Sequence, residues 1–158
     1  MRFPEILRLV ASVILCQIAG FLGSLFTTPA IPTWYATLKK PFFTPPNWIF
    51  SPVWISLFIL MGISLFFVWR RQGHPGFKKA LIFFFVQLIL NVLWSLAFFG
   101  LRLPLLGLMD IILLWIAILL TIQNFLKVSK FAGVLLLPYL LWVSFATLLN
   151  LSLWVQNV

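Results

Sequence analysis

The chain has 158 residues, of which 63% are hydrophobic and 8% charged, and its mean hydropathy of +1.15 excludes a soluble domain of ordinary composition. The formal net charge is +9 at pH 7. The basic residues occur as pairs between apolar runs, which is typical of loops at a membrane surface. We therefore expect a lipid bilayer, and no nucleic acid, as the partner of these charges.

Five apolar runs predict an all-α fold, an integral membrane protein built as a bundle of five transmembrane helices in a single domain over residues 1–158. Each run has the roughly 20 residues that a helix needs to cross the hydrocarbon core. Each must be helical, because unpaired backbone groups are costly in lipid. The predicted helices cover about 6–27, 48–69, 80–100, 105–126 and 131–154.

The connection between the first two predicted helices, residues 28–47, is the only long one. It contains Pro29, Pro32, Pro41, Pro45 and Pro46. Prolines reduce the freedom of a loop, so this segment is predicted to form a structured cover.

The basic residues differ in number between the two sides of the predicted bundle. Eight lie on the side of the N-terminus, namely Arg2, Arg8, Arg70, Arg71, Lys78, Lys79, Lys127 and Lys130. Only Lys39, Lys40 and Arg102 lie on the other side. The positive-inside rule predicts a cytoplasmic N-terminus and an external first loop, for insertion into a bacterial inner membrane.

The third predicted helix carries a stripe of amide and aromatic side chains. Gln87, Asn91, Trp94 and Phe98 follow at spacings of four, three and four, which places them on one helix face. An amide in hydrocarbon needs a partner, so this face is predicted to point inward. For each amide a simple hydrogen bond between helices, worth about 0.6 kcal/mol, remains an alternative role.

A second inward face is predicted on the fifth helix. Pro138, Trp142, Ala146 and Asn150 follow at spacings of four, and Pro138 is expected to kink the helix near mid-membrane. Trp54 lies near the outer end of the second helix. These residues gather in the outer half of the membrane, which predicts a cavity closed by the proline-rich loop.

Most of these residues lie in stretches that occur in the same order in a known family. The stretches are Trp34–Pro41, Thr44–Trp48, Pro52–Trp54, Gln87–Gly100 and Pro138–Asn150, with Asp110 between the last two. In them the chain resembles the translocator protein family, which includes the tryptophan-rich sensory proteins (TspO) of bacteria and the peripheral benzodiazepine-type receptor of mitochondria.

The resemblance implies a five-helix bundle, usually dimeric, with a ligand pocket near the first loop and Tyr35 in the pocket cover. Family ligands are porphyrins such as protoporphyrin IX, sterols in eukaryotic members, and aromatic drugs. Trp54 and Trp142 match the tryptophans implicated, in some bacterial members, in light-dependent porphyrin breakdown. The predicted ligand-binding residues are Trp34, Tyr35, Pro41, Trp54, Gln87, Asn91, Trp94, Phe98, Trp142, Ala146 and Asn150.

The remaining chemistry limits the function. His74 is in a predicted loop, Cys16 is in the first helix away from the cavity, and the only acids are Glu5 and Asp110. This set predicts no metal site, no hydrolytic centre and no resident cofactor, and favours a metal-free tetrapyrrole held by stacking. Small residues along helix one permit close contact, either within the bundle or in a homodimer.

The sequence therefore predicts a membrane receptor or binding protein for porphyrins and similar flat apolar ligands, acting in sensing, sequestration or transport. A light-dependent porphyrin-degrading enzyme that uses Trp54 and Trp142 is one alternative. A sterol or lipid transporter is another. Residues 149–158 lack the Tyr followed by Lys or Arg of the eukaryotic sterol pattern, which disfavours cholesterol.

Overall fold

A computed structural model describes residues 2–158, and within them five helical spans are long and apolar enough to cross a membrane. The spans are Phe3–Tyr35, Asn47–Trp69, Phe77–Gly100, Pro104–Val128 and Lys130–Gln156. The prediction of an all-α membrane protein with five transmembrane helices is therefore confirmed. Helices satisfy their backbone groups internally, as the bilayer core requires.

The first helix runs farther than predicted. Helix α1 covers Phe3–Ala30 and continues as a wide π-helical turn over Ile31–Tyr35, whereas the predicted helix ended near residue 27. Pro29 lies inside α1, and the hydroxyl of Thr33 donates to its carbonyl oxygen at 2.8 Å. A wide turn and local hydroxyl bonds let a membrane helix tolerate proline. Tyr35 therefore ends a helix, and its predicted place in the loop is wrong.

The next helices follow the predicted spans more closely. They are α2 (Phe50–Trp69, after a 3₁₀ turn at Asn47–Ile49), α3 (Phe77–Ser95, continued by a π-helical turn at Leu96–Gly100) and α4 (Pro104–Val128). The short connection between α3 and α4 turns at Arg102, whose φ of 58° lies in the left-handed region. This conformation reverses the chain within three residues.

The fifth span is broken, but not at mid-membrane. Helix α5 covers Lys130–Leu135 and α6 covers Leu137–Gln156, with the interruption at Leu136. That point is about 9 Å from the start of the span, nearer its N-terminal end than predicted. Pro138 lies in the first turn of α6, where a missing N–H removes no helical bond. The proline therefore starts a helix instead of kinking one.

Both parts of the fifth span pack against α4, but only the first part also packs closely against α2. Helix α1 packs against α2 and α3, α3 packs against α4, α5 packs against α2 and α4, and α6 packs against α4. The contact between α1 and α2 is very close, because a Cβ on Gly62 would lie 2.5 Å from the Cα of Val13. Because α2 packs against α5 but not closely against α6, space opens between α2 and α6.

Candidate functional site

A cavity of about 410 Å³ occupies this space. Its walls come from α1, α2, the end of α3 and α6, and its lining is mainly apolar and aromatic. The volume lies within the range of about 300–1,000 Å³ that is usual for small-molecule sites. The cavity is therefore large enough for a flat ligand with several rings.

The structure brings most of the predicted site residues together at this cavity. Eight of them line it, namely Tyr35, Trp54, Asn91, Trp94, Phe98, Trp142, Ala146 and Asn150. The predicted convergence of indoles and amides from separate spans is thus present in the fold.

Three other predicted ligand-binding residues, Trp34, Pro41 and Gln87, are not in the cavity lining. Trp34 packs edge-on against Phe98, with 5.5 Å between ring centroids, so it supports the wall from behind. Pro41 belongs to the first loop. Gln87 is one turn before Asn91 on α3 and forms hydrogen bonds beneath the cavity floor. Helical periodicity identified the correct face of α3, but it could not show how deep the cavity reaches.

One side of the cavity is a continuous series of aromatic rings. Trp54 and Trp94 lie 6.1 Å apart with 36° between their planes, and Trp94 stacks on Phe98 at 5.8 Å and 23°. Trp54 also packs against Phe58 at 5.8 Å. Offset and tilted ring pairs at these separations are favourable and hold each ring in a defined orientation. The series therefore presents fixed π faces to a guest.

A second group of rings surrounds Trp142 on α6. Its ring lies 5.3 Å from Phe145 and 6.3 Å from Phe50, and Phe50 lies 6.4 Å from Tyr35. The Nε1 atom of Trp142 and the hydroxyl of Tyr35 are buried without a hydrogen-bond partner among residues 2–158. A buried donor without a partner is costly, so both groups gain if a neighbouring molecule supplies an acceptor.

The amide of Asn150 connects the cavity walls. Its Oδ1 accepts from Trp94 Nε1 at 3.0 Å, and its Nδ2 donates to the carbonyl oxygen of Pro104 at 2.8 Å. Asn150 is fully buried on α6, so one side chain joins the third, fourth and fifth spans. It thereby fixes the plane of the Trp94 indole.

The wall that α1 contributes was not predicted. Its lining residues are Gln17, Gly20, Phe21, Gly23, Ser24, Thr27 and Thr28, and Ile31 of the following π-helical turn extends this wall. A Cβ on Gly20 would lie 2.7 Å from Cδ2 of Phe58, so the small residue lets that ring sit against the helix. The small residues of helix one were a usable signal, although the sequence pointed only to helix contact. Phe50 and Phe145 carried no signal, because the chain has 18 phenylalanines.

The first loop is attached to the C-terminal end of α6. The backbone N–H of Lys39 donates to Oδ1 of Asn157, and Nδ2 of Asn157 donates to the carbonyl oxygen of Lys39, both at 2.9 Å. The ammonium of Lys40 lies 4.7 Å from the ring centroid of Tyr35. These contacts attach the loop to α6 and to the end of the first span, and none of the residues 36–46 is in the cavity lining.

Other candidate groups lie away from the cavity. Asp110 is on α4 outside the cavity lining, and its Oδ2 is buried without a hydrogen-bond partner in residues 2–158. His74 lies in the connection between α2 and α3. No cluster of His, Cys, Asp or Glu side chains able to hold a metal ion exists within the described residues. The side chains at the cavity are suited to non-covalent binding through stacking and a few hydrogen bonds.

Fold and site together define a multi-pass membrane protein with an internal aromatic cavity of small-molecule size. The chain belongs to the TspO/MBR family, whose model matches residues 12–155. The resemblance seen in the sequence is therefore confirmed. A membrane receptor or transporter role fits this family.

Relatives from all three domains of life are similar to the chain over nearly its whole length. The tryptophan-rich protein TspO of Archaeoglobus fulgidus is 50% identical over 97% of this chain and 99% of its own. Protein CrtK of Rhodobacter capsulatus is 38% identical over 90% and 88%, respectively. The translocator protein of Bos taurus is 35% identical over 98% and 92%.

Proposed function

We propose that the cavity binds a flat, largely apolar ligand of the porphyrin class, and that the protein senses, sequesters or carries such molecules. The observation that supports this proposal best is the meeting of Trp54, Trp94 and Trp142, from three different spans, at one cavity of about 410 Å³. Three indole faces with fixed orientations match an extended π surface better than a flexible aliphatic chain.

The polar groups of the cavity support a metal-free ligand. Its hydrogen-bonding side chains include Asn91, Asn150 and Tyr35, and none of the residues that line it is a histidine or a cysteine. Haem is usually held through an axial side-chain ligand such as His or Cys, whereas a free-base porphyrin needs only stacking and hydrogen bonds. Acidic substituents of such a ligand would be reached by Lys40 at the loop.

Titration with protoporphyrin IX tests this proposal directly. A porphyrin in the cavity should quench indole fluorescence, and Trp142→Phe should remove part of that quenching and weaken binding by about tenfold. Trp115→Phe is the matched control, because Trp115 is outside the cavity lining and bonds Ser144 at 2.8 Å. Equal affinities for the two variants would contradict this assignment of the cavity.

Illumination of the same complex in the presence of oxygen separates binding from degradation. A new product spectrum that is lost in Trp54→Phe or Trp142→Phe would support a light-dependent enzyme. A Soret band that stays unchanged under light would support binding alone. Both indoles line the same cavity and would touch a common guest, so this second activity uses the same site.

We further propose a single domain, a homodimer, and a bacterial inner-membrane location with a cytoplasmic N-terminus. The excess of basic residues on the N-terminal side supports the orientation. The native Cys16 is fully buried, so single cysteines at the exposed positions of Gln72 and Phe42 can be labelled selectively. An impermeant maleimide added to intact cells should label the Phe42→Cys protein and spare the Gln72→Cys protein; the reverse result would invert the orientation.

A further inference from the structure

Beneath the aromatic part of the cavity, four buried side chains form one hydrogen-bonded chain. Asn91 Nδ2 donates to the hydroxyl of Tyr139 at 2.7 Å, and this hydroxyl donates to Gln87 Oε1 at 2.8 Å. Gln87 Nε2 donates to Met61 Sδ at 3.8 Å. None of the four side chains is more than 4% exposed, so these bonds are protected from competition by water.

The sulfur atom at the end of this chain determines the direction of every bond in it. A thioether has no proton, so Met61 can only accept, and the NH₂ group of Gln87 must face it. The Oε1 of Gln87 then faces Tyr139 and takes its single hydroxyl proton. Tyr139 has no second proton to donate, so Asn91 must present its NH₂ group to the hydroxyl oxygen.

The consequence for the cavity is a fixed polarity at its floor. With its NH₂ group facing Tyr139, Asn91 turns Oδ1 away from the chain, and this oxygen takes part in none of the side-chain hydrogen bonds of residues 2–158. The second asparagine of the cavity differs, because Asn150 already uses both its oxygen and its nitrogen. Of the two asparagines that line the cavity, Asn91 is thus the one with an acceptor still available, and it lies on α3, whereas the amide of Gln17 lies on α1 and donates to the carbonyl oxygen of Ile55 at 3.1 Å.

We infer that Asn91 Oδ1 is a specificity-determining acceptor, and that the cavity prefers flat aromatic ligands with an N–H or O–H donor on the edge that meets it. Tyr139, Gln87 and Met61 are positioning residues, since they set the orientation of the Asn91 amide without lining the cavity. This inference rests on the proposed function, because it requires that the cavity binds flat aromatic molecules. To the proposed function it adds one property of the ligand, a hydrogen-bond donor on the edge that faces α3.

Three tricyclic probes of nearly equal shape test the inference. Carbazole has an N–H group where fluorene has CH₂ and dibenzofuran has an acceptor oxygen. Calorimetric titration in lipid nanodiscs, with protein-free nanodiscs as blank, should give carbazole a Kd about fivefold lower than that of fluorene. Dibenzofuran should bind about twofold more weakly than fluorene, because its oxygen would face Oδ1 of Asn91.

Variants test whether Tyr139, Gln87 and Met61 orient the amide of Asn91. The measured quantity is the ratio of the Kd values for fluorene and carbazole, which a general loss of folded protein does not change. Tyr139→Phe releases the Asn91 amide, so the preference for carbazole over fluorene should disappear and the ratio of the two Kd values should become about 1. Met61→Leu, which conserves side-chain volume, should lower the preference by about twofold, because it removes the sulfur atom that accepts from Gln87 Nε2. Trp115→Phe should leave it unchanged.

The possible outcomes separate the two proposals. Failure of all three probes and of protoporphyrin IX to bind would overturn the proposed function and this inference with it. Equal binding of the three probes would overturn the inference alone, as would a preference for dibenzofuran. A Tyr139→Phe or Met61→Leu protein that kept the full preference for carbazole would show that these hydrogen bonds do not orient Asn91.

Discussion

Asn150 joins three spans, and its replacement by leucine tests how much such a bond network contributes in this bundle. Asn150→Leu keeps the shape of the side chain but removes the bonds to Trp94 and Pro104. Buried hydrogen bonds between membrane helices contribute about 0.6 kcal/mol each on average and about 1.7 kcal/mol at most. Two bonds therefore predict a loss of about 1–3 kcal/mol in the free energy of unfolding.

Reversible unfolding in mixed micelles, followed by tryptophan fluorescence, measures this loss. The matched control is Asn124→Leu, because Asn124 is also buried but donates only to the carbonyl oxygen of Leu120 in its own helix, at 2.8 Å. That bond connects no other span, so the control should cost less than about 0.5 kcal/mol. Equal losses for the two variants, or an unchanged Asn150→Leu protein, would refute the reasoning.

Three further predictions concern packing and the cover. Ala146→Thr should weaken protoporphyrin IX binding by about fivefold, because it adds atoms to the cavity wall, whereas Ala11→Thr on the exposed face of α1 should leave the measured Kd unchanged. Gly62→Ala should cost about 1–3 kcal/mol in micelle unfolding, because its Cβ would lie 2.5 Å from the backbone of α1. Gly73→Ala is the control for that variant, since nothing lies within 4 Å of its Cβ, and an equal loss would contradict the close approach. Asn157→Leu should speed porphyrin dissociation by about threefold in stopped-flow chase experiments, because both bonds to the first loop are lost; an unchanged rate would mean that the loop does not retain the ligand.

The sequence alone predicted the five spans and the inward face of α3, because lipid imposes simple rules. Every span must be long, apolar and helical, and an amide in such a span must find a partner. Asn91, Trp94 and Phe98 could therefore be assigned to one face, and the structure places all three at the cavity. The same periodicity included Gln87, which lies too deep to line it.

The errors came from proline and from the depth of the cavity. The sequence placed Pro29 in the first loop, yet the helix continues to Tyr35 through a π-helical turn and a local hydroxyl bond. Pro138 read as a mid-membrane kink, but a proline in the first turn of a helix disturbs nothing. Backbone alternatives of this kind depend on neighbouring helices, so hydropathy and spacing do not distinguish them.

The interruption at Leu136 separates α6 from α5, so a change in the tilt of α6 does not require α5 to move. The α6 segment has 20 residues and is about 30 Å long, so a tilt of about 5° at its lower end shifts its upper end by about 2.6 Å. The short α5 segment, on the other side of the interruption, packs against α2 and α4. If the cavity binds flat ligands as proposed, one small rotation of α6 would adjust its width to guests of different thickness, while α5 keeps its packing.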